Sequence, residues 1–484
     1  MEIYVIQPGD TLFGIANRFG VSLERLLNLN KLPNPEELVI GQAILIPGPV
    51  VVPLQYPIVA GDTLYQLATL FGVTVNDIVA QNQIVNPNRM DVGTVLAIPG
   101  WAQAPYQVRP GDTLYQIAGR FTSAVALIVR VNHLANPGLI YPGQALIIPQ
   151  PLPFKPIIEV MGYFQVRQLQ GLARSMAANG AFFTYASIFH FPVGTDGSIS
   201  APAATADLVN LFKSHDIQPL MVLTNWFQTG FDSELARAVM GNEDVKNRTI
   251  QNVLTLLRQY GFAGVNVDFE NMYPEDRSLY TRFIGNLAGA LHPEGFPVSL
   301  AVAPKSADLP NQPWVGAFDY AALGQLADAV FIMTYEWGWI GGPPMAVAPL
   351  NQVRRVLLYA SRLMPAAKIL QGIPLYGYDW TLPQTPDKPA APVNLVDVYS
   401  LAFRYGAVIQ YDQTAQSPWF RYRDERGAAH EVWFEDARSV QAKYQLAQEL
   451  NLRGVGYWSF TNEPYGFPQN WAILGDMFRV IKQS

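Results

Sequence analysis

Two acidic residues stand two positions apart in the run Gly264-Val265-Asn266-Val267-Asp268-Phe269-Glu270. Apolar and polar residues alternate through it with the period of an extended strand. Val265, Val267 and Phe269 therefore share one face, and Asn266, Asp268 and Glu270 the other. Polar side chains at three successive inward positions are costly unless they are paired or used. Two carboxyl groups held side by side resist double ionisation, so one keeps its proton to higher pH than the other. Such a pair can hand a proton to a leaving group while the neighbouring carboxyl acts as a hydrogen-bond partner. The competing reading is an ordinary buried polar layer.

The surrounding chain supplies the elements to position such a pair. After Pro153, short apolar runs alternate with longer helical patterns, the signature of β/α units around a parallel sheet. Eight runs read as strands: Ile157–Tyr163, Phe182–Ile188, Leu220–Thr224, Gly264–Phe269, Val298–Ala303, Ala329–Tyr335, Ile369–Leu375 and Gly454–Ser459. Eight units predict an α/β fold, a (β/α)8 TIM barrel over residues 154–484, whose active site would lie at the C-terminal ends of the strands, where Glu270 falls. The stretch from Gly377 to about Val440 is too long for a simple connection and contains a strand-like Val432-Trp433-Phe434. It predicts a small α+β insertion between strands 7 and 8, at about residues 378–440. A doubly wound open sheet is the structural alternative, but no Gly-x-Gly-x-x-Gly turn follows the first strand.

Before the barrel the sequence repeats itself. Gly9-Asp10-Thr11-Leu12, Gly61-Asp62-Thr63-Leu64 and Gly111-Asp112-Thr113-Leu114 begin three copies; an asparagine follows at a constant spacing (Asn30, Asn82, Asn132), then a glycine (Gly41, Gly93, Gly143) and a proline (Pro47, Pro99, Pro149). Each copy reads as strand, helix, helix, strand, with Asp and Thr suited to cap the first helix. Three βααβ modules are expected at 1–49, 54–100 and 104–150. The connectors Gly48–Pro53, Gly100–Pro105 and Pro149–Pro153 are short and carry proline, which predicts semi-rigidly spaced modules.

Composition narrows the remaining classes. The 484 residues are 50% hydrophobic and carry a net charge of −6, which argues against a sequence-independent grip on nucleic-acid phosphates. There is no cysteine, so disulfides, thiolate metal sites and a cysteine nucleophile are excluded. Five histidines leave little for a histidine metal site, and neither metal nor cofactor is expected. No apolar run reaches the roughly 18 residues of a membrane span. Met1-Glu2-Ile3-Tyr4-Val5 has neither the basic nor the apolar region of a signal peptide. The expectation is a protein with no membrane and no nucleic-acid partner.

The repeated pattern resembles the LysM module, which implies binding of N-acetylglucosamine polymers such as peptidoglycan or chitin through Gly9, Asp10, Thr11, Gly61, Asp62, Thr63, Gly111, Asp112 and Thr113. Tethered weak sites would multiply avidity; the bland alternative is a set of structural spacers. The strand-4 run resembles the family 18 glycoside hydrolase signature Asp-x-x-Asp-x-Asp-x-Glu. Its last two acids match as Asp268 and Glu270, while Ala263 and Asn266 replace the first two. Met333-Thr334-Tyr335-Glu336 resembles that family's Met-x-Tyr-Asp, Gly372-Ile373-Pro374-Leu375-Tyr376-Gly377 its Gly-x-Pro-x-Tyr-Gly, and Trp458 its aromatic floor.

The resemblance implies a retaining, substrate-assisted reaction, in which the sugar's own acetamide is the nucleophile. Glu270 would be the general acid, Asp268 would orient the acetamide, and Tyr335 would hydrogen-bond the oxazolinium ion. Asn266, Glu336, Trp458, Tyr376 and Met333 would contact substrate; Tyr163, Trp226 and Trp337 are further aromatic candidates. Asn266 would offer Asp268 a hydrogen bond where the family shares a proton, and Glu336 lengthens a side chain near the cleaved sugar. The run Met333–Trp339, followed by Gly341-Gly342-Pro343-Pro344-Met345-Ala346, resembles the spore cortex-lytic N-acetylglucosaminidases of spore-forming bacteria. That branch implies a place in the spore coat, cortex or cell wall reached without a classical signal peptide. Muramic δ-lactam has no free acetyl carbonyl, so cleavage is expected on the reducing side of N-acetylglucosamine. A chitinase, a non-catalytic wall- or chitin-binding coat protein and a transglycosylase are the alternatives.

Overall fold

The computed structural model describes all residues except 33, 49–50, 166–168, 461–466 and 483–484. It divides into two units, Met1–Pro47 with Pro156–Ser484, and Gly48–Lys155. In the first unit eight strands run parallel in a closed ring: β1 (Ile157–Phe164), β2 (Tyr185–Pro192), β3 (Gln218–Thr224), β4 (Gly264–Asp268), β5 (Val298–Val302), β6 (Ala329–Ile332), β7 (Ile369–Pro374) and β8 (Gly454–Phe460), with β8 pairing back onto β1. Helices cover the outer face, and the strands are buried on both sides, which is why they read as near-continuous apolar runs. The longest helix, Glu243–Tyr260, begins under an Asn242 cap that accepts from the N–H groups of Asp244 and Val245. It ends at Gly261, and its buried face includes Ile250, Val253, Leu254 and Leu257.

Two strand boundaries differ from the sequence reading. β2 starts at Tyr185 because Gly180–Phe182 forms a 3-10 turn. β6 ends at Ile332 because the N–H groups of Thr334 and Tyr335 bond back to Ile332 and Met333 at 2.8 Å. That local turn carries Tyr335 and Glu336 out of the sheet and over the mouth of the barrel. The insertion after β7 is a five-stranded antiparallel sheet beginning at Tyr376, with one helix, Val398–Arg404.

The first repeat folds as expected, with antiparallel strands Glu2–Val5 and Ala43–Ile46 around helices Leu12–Phe19 and Leu23–Asn30. It is not a tethered bead. Val39, Ala43 and Leu45 belong to the same hydrophobic cluster as the barrel. The side-chain amide of Gln469 donates to Asn30 Oδ1 at 2.8 Å and to the Ala43 carbonyl at 3.2 Å.

The second unit corrects the linker reading again. Residues 100–105 lie inside one strand, Val95–Gln107, which closes module 2 and opens module 3. Together with Val52–Pro57 and Ala145–Pro151 it makes a three-stranded antiparallel sheet. Leu127 and Val131 of module 3 complete the core of module 2, and the Trp101 indole donates to the Phe71 carbonyl at 2.8 Å. Modules this small bury too little apolar surface alone, and sharing a core is the physical remedy. Of the third connector, residues 149–151 are likewise strand, and residues 49–50 of the first lie outside the described residues. No single helix among the described residues is long and apolar enough to cross a membrane.

Candidate active site

A cleft of about 590 Å³ opens among the barrel residues, lined by Tyr163, Asp268, Glu270, Met333, Tyr335, Glu336, Tyr376 and Trp458, with Trp314 and Trp339 on its wall. Strand alternation accounts for the acidic pair. Val265 and Val267 are buried, as are Asn266 and Asp268 on the opposite face of β4. Glu270 lies two residues beyond Asp268, the last residue of β4, and is held by its backbone. Its N–H donates to Asn225 Oδ1 at 2.9 Å, and Asn225 Nδ2 donates to its carbonyl at 2.8 Å. Asn225 sits just past the end of β3, is fully buried, and also bonds the Asp232 carbonyl at 2.9 Å. The sequence reading missed it, although its place just beyond a barrel strand was a usable signal.

Asn266 has a different job from the one expected. Its Oδ1 accepts from the Tyr163 hydroxyl at 2.9 Å, and its Nδ2 donates to Ser299 Oγ at 3.0 Å. Both ends are spent on other strands, and Asn266 is not among the residues lining the cleft. Asp268 Oδ1 is buried without a hydrogen-bond partner among the described residues. A buried acceptor left in that state is costly in a purely structural layer and useful where a ligand supplies the donor.

The electrostatics favour protonated acids. Burial pushes the Asp268 carboxyl up to about 7. Glu270 is pushed well above the usual carboxylate range by burial first, then by the charges of Asp268 and Glu336. The cleft lining holds three carboxyl groups and no lysine, arginine or histidine among the described residues. Burial also pushes Glu336 up, against hydrogen bonds from Tyr376 and Tyr378 that pull it down. Tyr376 and Tyr378 alternate onto one face of the strand leaving β7, and both hydroxyls donate to Glu336 Oε1, that of Tyr378 at 3.0 Å. Glu336 has φ of 66°, a strained left-handed backbone of the kind stored at functional sites. Removing its charge should therefore lower the pKa of Glu270. In Glu336→Gln the alkaline limb of the rate-against-pH profile is expected to move to lower pH. An unmoved limb would show that Glu336 does not couple to the acid.

The other predicted residues are placed as follows. Tyr335 lines the cleft with its ring against β7, where a Cβ at Gly372 would stand 2.9 Å from the ring and 2.6 Å from the Ile332 carbonyl. That close approach explains the glycine. Trp458 packs edge-on against Tyr163 and Phe189, with ring centres at 5.6 and 5.0 Å. Trp226 packs on His190 and Phe231, and Trp337 is partly buried against the core. Neither lines the cleft. Trp314 and Trp339, 65% and 49% exposed, were not singled out from sequence because they lie in long loops rather than at strand ends.

In the modules, the Gly-Asp-Thr side chains are engaged locally. Asp10, Asp62 and Asp112 accept from the hydroxyls of Tyr4, Tyr56 and Tyr106, and from the backbone N–H groups of Gln7, Val59 and Arg109. Thr11, Thr63 and Thr113 cap the following helices. Gly9, Gly61 and Gly111 turn the chain with φ between 84° and 90°, so what these turns offer outward is mainly backbone. The repeated Asn30, Asn82 and Asn132 lock each second helix to the closing strand through the backbone of Leu45, Ala97 and Ile147.

Comparison with known proteins agrees with this geometry. Residues 160–463 match the model for glycosyl hydrolases family 18, and residues 4–47, 56–99 and 106–149 match that for the LysM domain. The chain is 46% identical over 433 residues to the cortical fragment-lytic enzyme of Bacillus subtilis, covering 89% of this chain and 99% of that protein. The crystal structure of the spore cortex-lytic enzyme SleL of Bacillus megaterium superposes with a TM-score of 0.75 at 34% identity, covering 100% of this chain and 99% of the other. That of SleL from Bacillus cereus gives 0.65 at 37%, covering 90% and 100%. With paired acids at the end of the fourth strand of a closed barrel and a family match spanning that barrel, the chain belongs to the family 18 glycosyl hydrolases and carries three LysM domains ahead of its catalytic fold.

Proposed function

We propose that this protein is a peptidoglycan-binding glycosidase that degrades spore cortex fragments, cutting β-1,4 bonds after N-acetylglucosamine. The observation that carries the reading is the acidic cleft: the Glu270 carboxyl, pushed up by burial, stands beside Asp268, and aromatic rings supply the faces a sugar packs against. The cortex-lytic relatives, matched over nearly their whole length, supply the substrate class.

In the reaction, the acetamide carbonyl of the sugar bound over Trp458 attacks C1 as Glu270 gives its proton to the glycosidic oxygen and the C1–O bond breaks. Asp268 accepts from the acetamide N–H, filling its free acceptor, and so orients the nucleophile. The Tyr335 hydroxyl donates to the oxazolinium ion. Water then opens that ion at C1 and returns a proton to Glu270, with configuration retained. Met333, Glu336 and Tyr376 shape the pocket, and Asn266 acts from behind through Tyr163. No step in this reaction calls for a metal. The LysM modules hold the enzyme on the polymer, placing it at the cell wall or within the spore.

Mass spectrometry of digested cortex tests the bond cut. The expected products carry N-acetylglucosamine at the new reducing end. Fragments ending in a reducing muramic residue would sink the assignment, because muramic δ-lactam has no acetyl carbonyl with which to assist. Efficient turnover of long chitin with cortex left intact would favour a chitinase instead.

A further inference from the structure

The three modules share one repeat but differ in what covers it. Gly41, Gly93 and Gly143 occupy the same position and the same left-handed backbone, with φ of 86°, 91° and 86°. A side-chain carbon at Gly93 or Gly143 would meet nothing within 4 Å, whereas at Gly41 it would overlap the main chain of Ile409 in the insertion. The contrast continues along the closing strand. Ala43 and Leu45 are buried in the barrel's own core, while Val95, the counterpart of Ala43, is 55% exposed, and Ile147, the counterpart of Leu45, is 38% exposed.

Polar contacts fix the docked position. The Ile409 N–H donates to the Ile40 carbonyl at 2.9 Å, Arg438 donates to the Gly41 carbonyl at 3.2 Å, and Gln469 bonds both Asn30 and Ala43. Gln469 lies in the first turn of the helix Pro468–Met477 that follows β8. Its neighbour Asn470 accepts from the Tyr444 hydroxyl at 2.6 Å, and Tyr444 is hydrogen-bonded in turn to Tyr457 of β8. The next residue of β8 is Trp458, on the wall of the cleft. A continuous chain of packed and hydrogen-bonded groups therefore runs from module 1 to the sugar-facing end of β8.

We propose that module 1 is a fixed wall of the catalytic unit, which holds the helix behind β8 in place and thereby positions Trp458. On this account module 1 acts on turnover itself, including turnover of small soluble fragments that need no anchoring module. Undocking would expose Val39, Ala43 and Leu45 to water and leave Gln469 without these partners, so the docked state is the resting one. Gln469 is a positioning residue: a small displacement of a substrate-facing group costs up to roughly 10²-fold in rate. The choice of substrate for the test rests on the function proposed above; the docking itself does not.

The test begins with the full chain carrying a protease site at 48–50. After cleavage, residues 1–48 are expected to co-elute with the remainder on size exclusion, and their release would overturn the proposal. The glycine series isolates the contact, because Gly41→Ala, Gly93→Ala and Gly143→Ala carry the same backbone strain and only the first collides with the barrel. Gly41→Ala is expected to free the cleaved module and to lower kcat on a soluble cortex tetrasaccharide at least about fivefold. Gly93→Ala and Gly143→Ala should match the parent in both respects. Should Gly41→Ala fail to fold, Gln469→Ala supplies the second arm, with lowered kcat, unchanged KM and unchanged pelleting with cortex. A freed module with parental kcat would overturn the positioning role. A parent inactive on every soluble fragment would instead count against the proposed function, while co-elution would still decide the docking.

Discussion

Glu270→Gln is expected to lower glycosidic cleavage by about 10²–10⁴-fold, the usual cost of losing a positioned general acid. The substitution keeps the shape of the side chain, and the Asn225 clamp acts on the Glu270 backbone, so the geometry of the cleft should survive. KM on soluble fragments and pelleting with cortex should therefore change little, and the loss should fall on kcat. Release of reducing ends from cortex measures it. Retention of more than about a tenth of the parental rate would mean that the proton comes from elsewhere. Stability should move the other way. The folded state raises the Glu270 pKa, so it keeps a proton that the unfolded chain releases, and stability falls as pH rises through the interval above the ordinary carboxylate value of 4.5. The amide has no proton to lose, and Glu270→Gln should unfold at a higher temperature than the parent at neutral pH.

Asp268→Asn is expected to cost about 10²–10³-fold in kcat, the scale of removing one preorganised polar partner from a developing charge. Its Oδ1 is a buried acceptor with no described partner, free to receive the acetamide N–H, and an asparagine replaces one of the two acceptor oxygens by an NH2 donor. Asp268 is pushed from 3.8 to about 7 by burial, so the parent loses stability as pH climbs between those values. Melting temperatures measured across pH 4 to 8 should fall less steeply for Asp268→Asn than for the parent. A variant with unchanged kcat would remove Asp268 from the reaction, and an unchanged slope would show that its burial does not load the fold.

These opposite signs describe a site that spends stability on function. Three carboxyl groups share one cleft with no described cation lining it, an arrangement that a layer serving only the fold would neutralise. The glutamine and asparagine variants are thus expected to be the more stable and the less active proteins.

Much of this protein was legible from residue order. The eight barrel strands, the insertion after the seventh and the three βααβ repeats all announce themselves through local periodicity and spacing, because burial on two faces forces continuous apolar runs and tight turns force glycine and capping residues. The acidic pair was legible for the same reason, since strand alternation alone puts Asp268 and Glu270 on one face. What only the tertiary structure decided are the partners across long sequence separations. Asn266 reads as a companion of Asp268, yet Tyr163 and Ser299 claim it from β1 and β5. The fixing of Glu270 by Asn225 joins the ends of β3 and β4. The connector 100–105 reads as a linker because it is short and ends in a proline, yet it lies within the shared strand of modules 2 and 3. Module 1 reads like its two sisters, and only the fold shows Ile409, Arg438 and Gln469 closing over it. Periodicity encodes which face of an element is apolar. Which surface meets that face depends on how the whole chain closes.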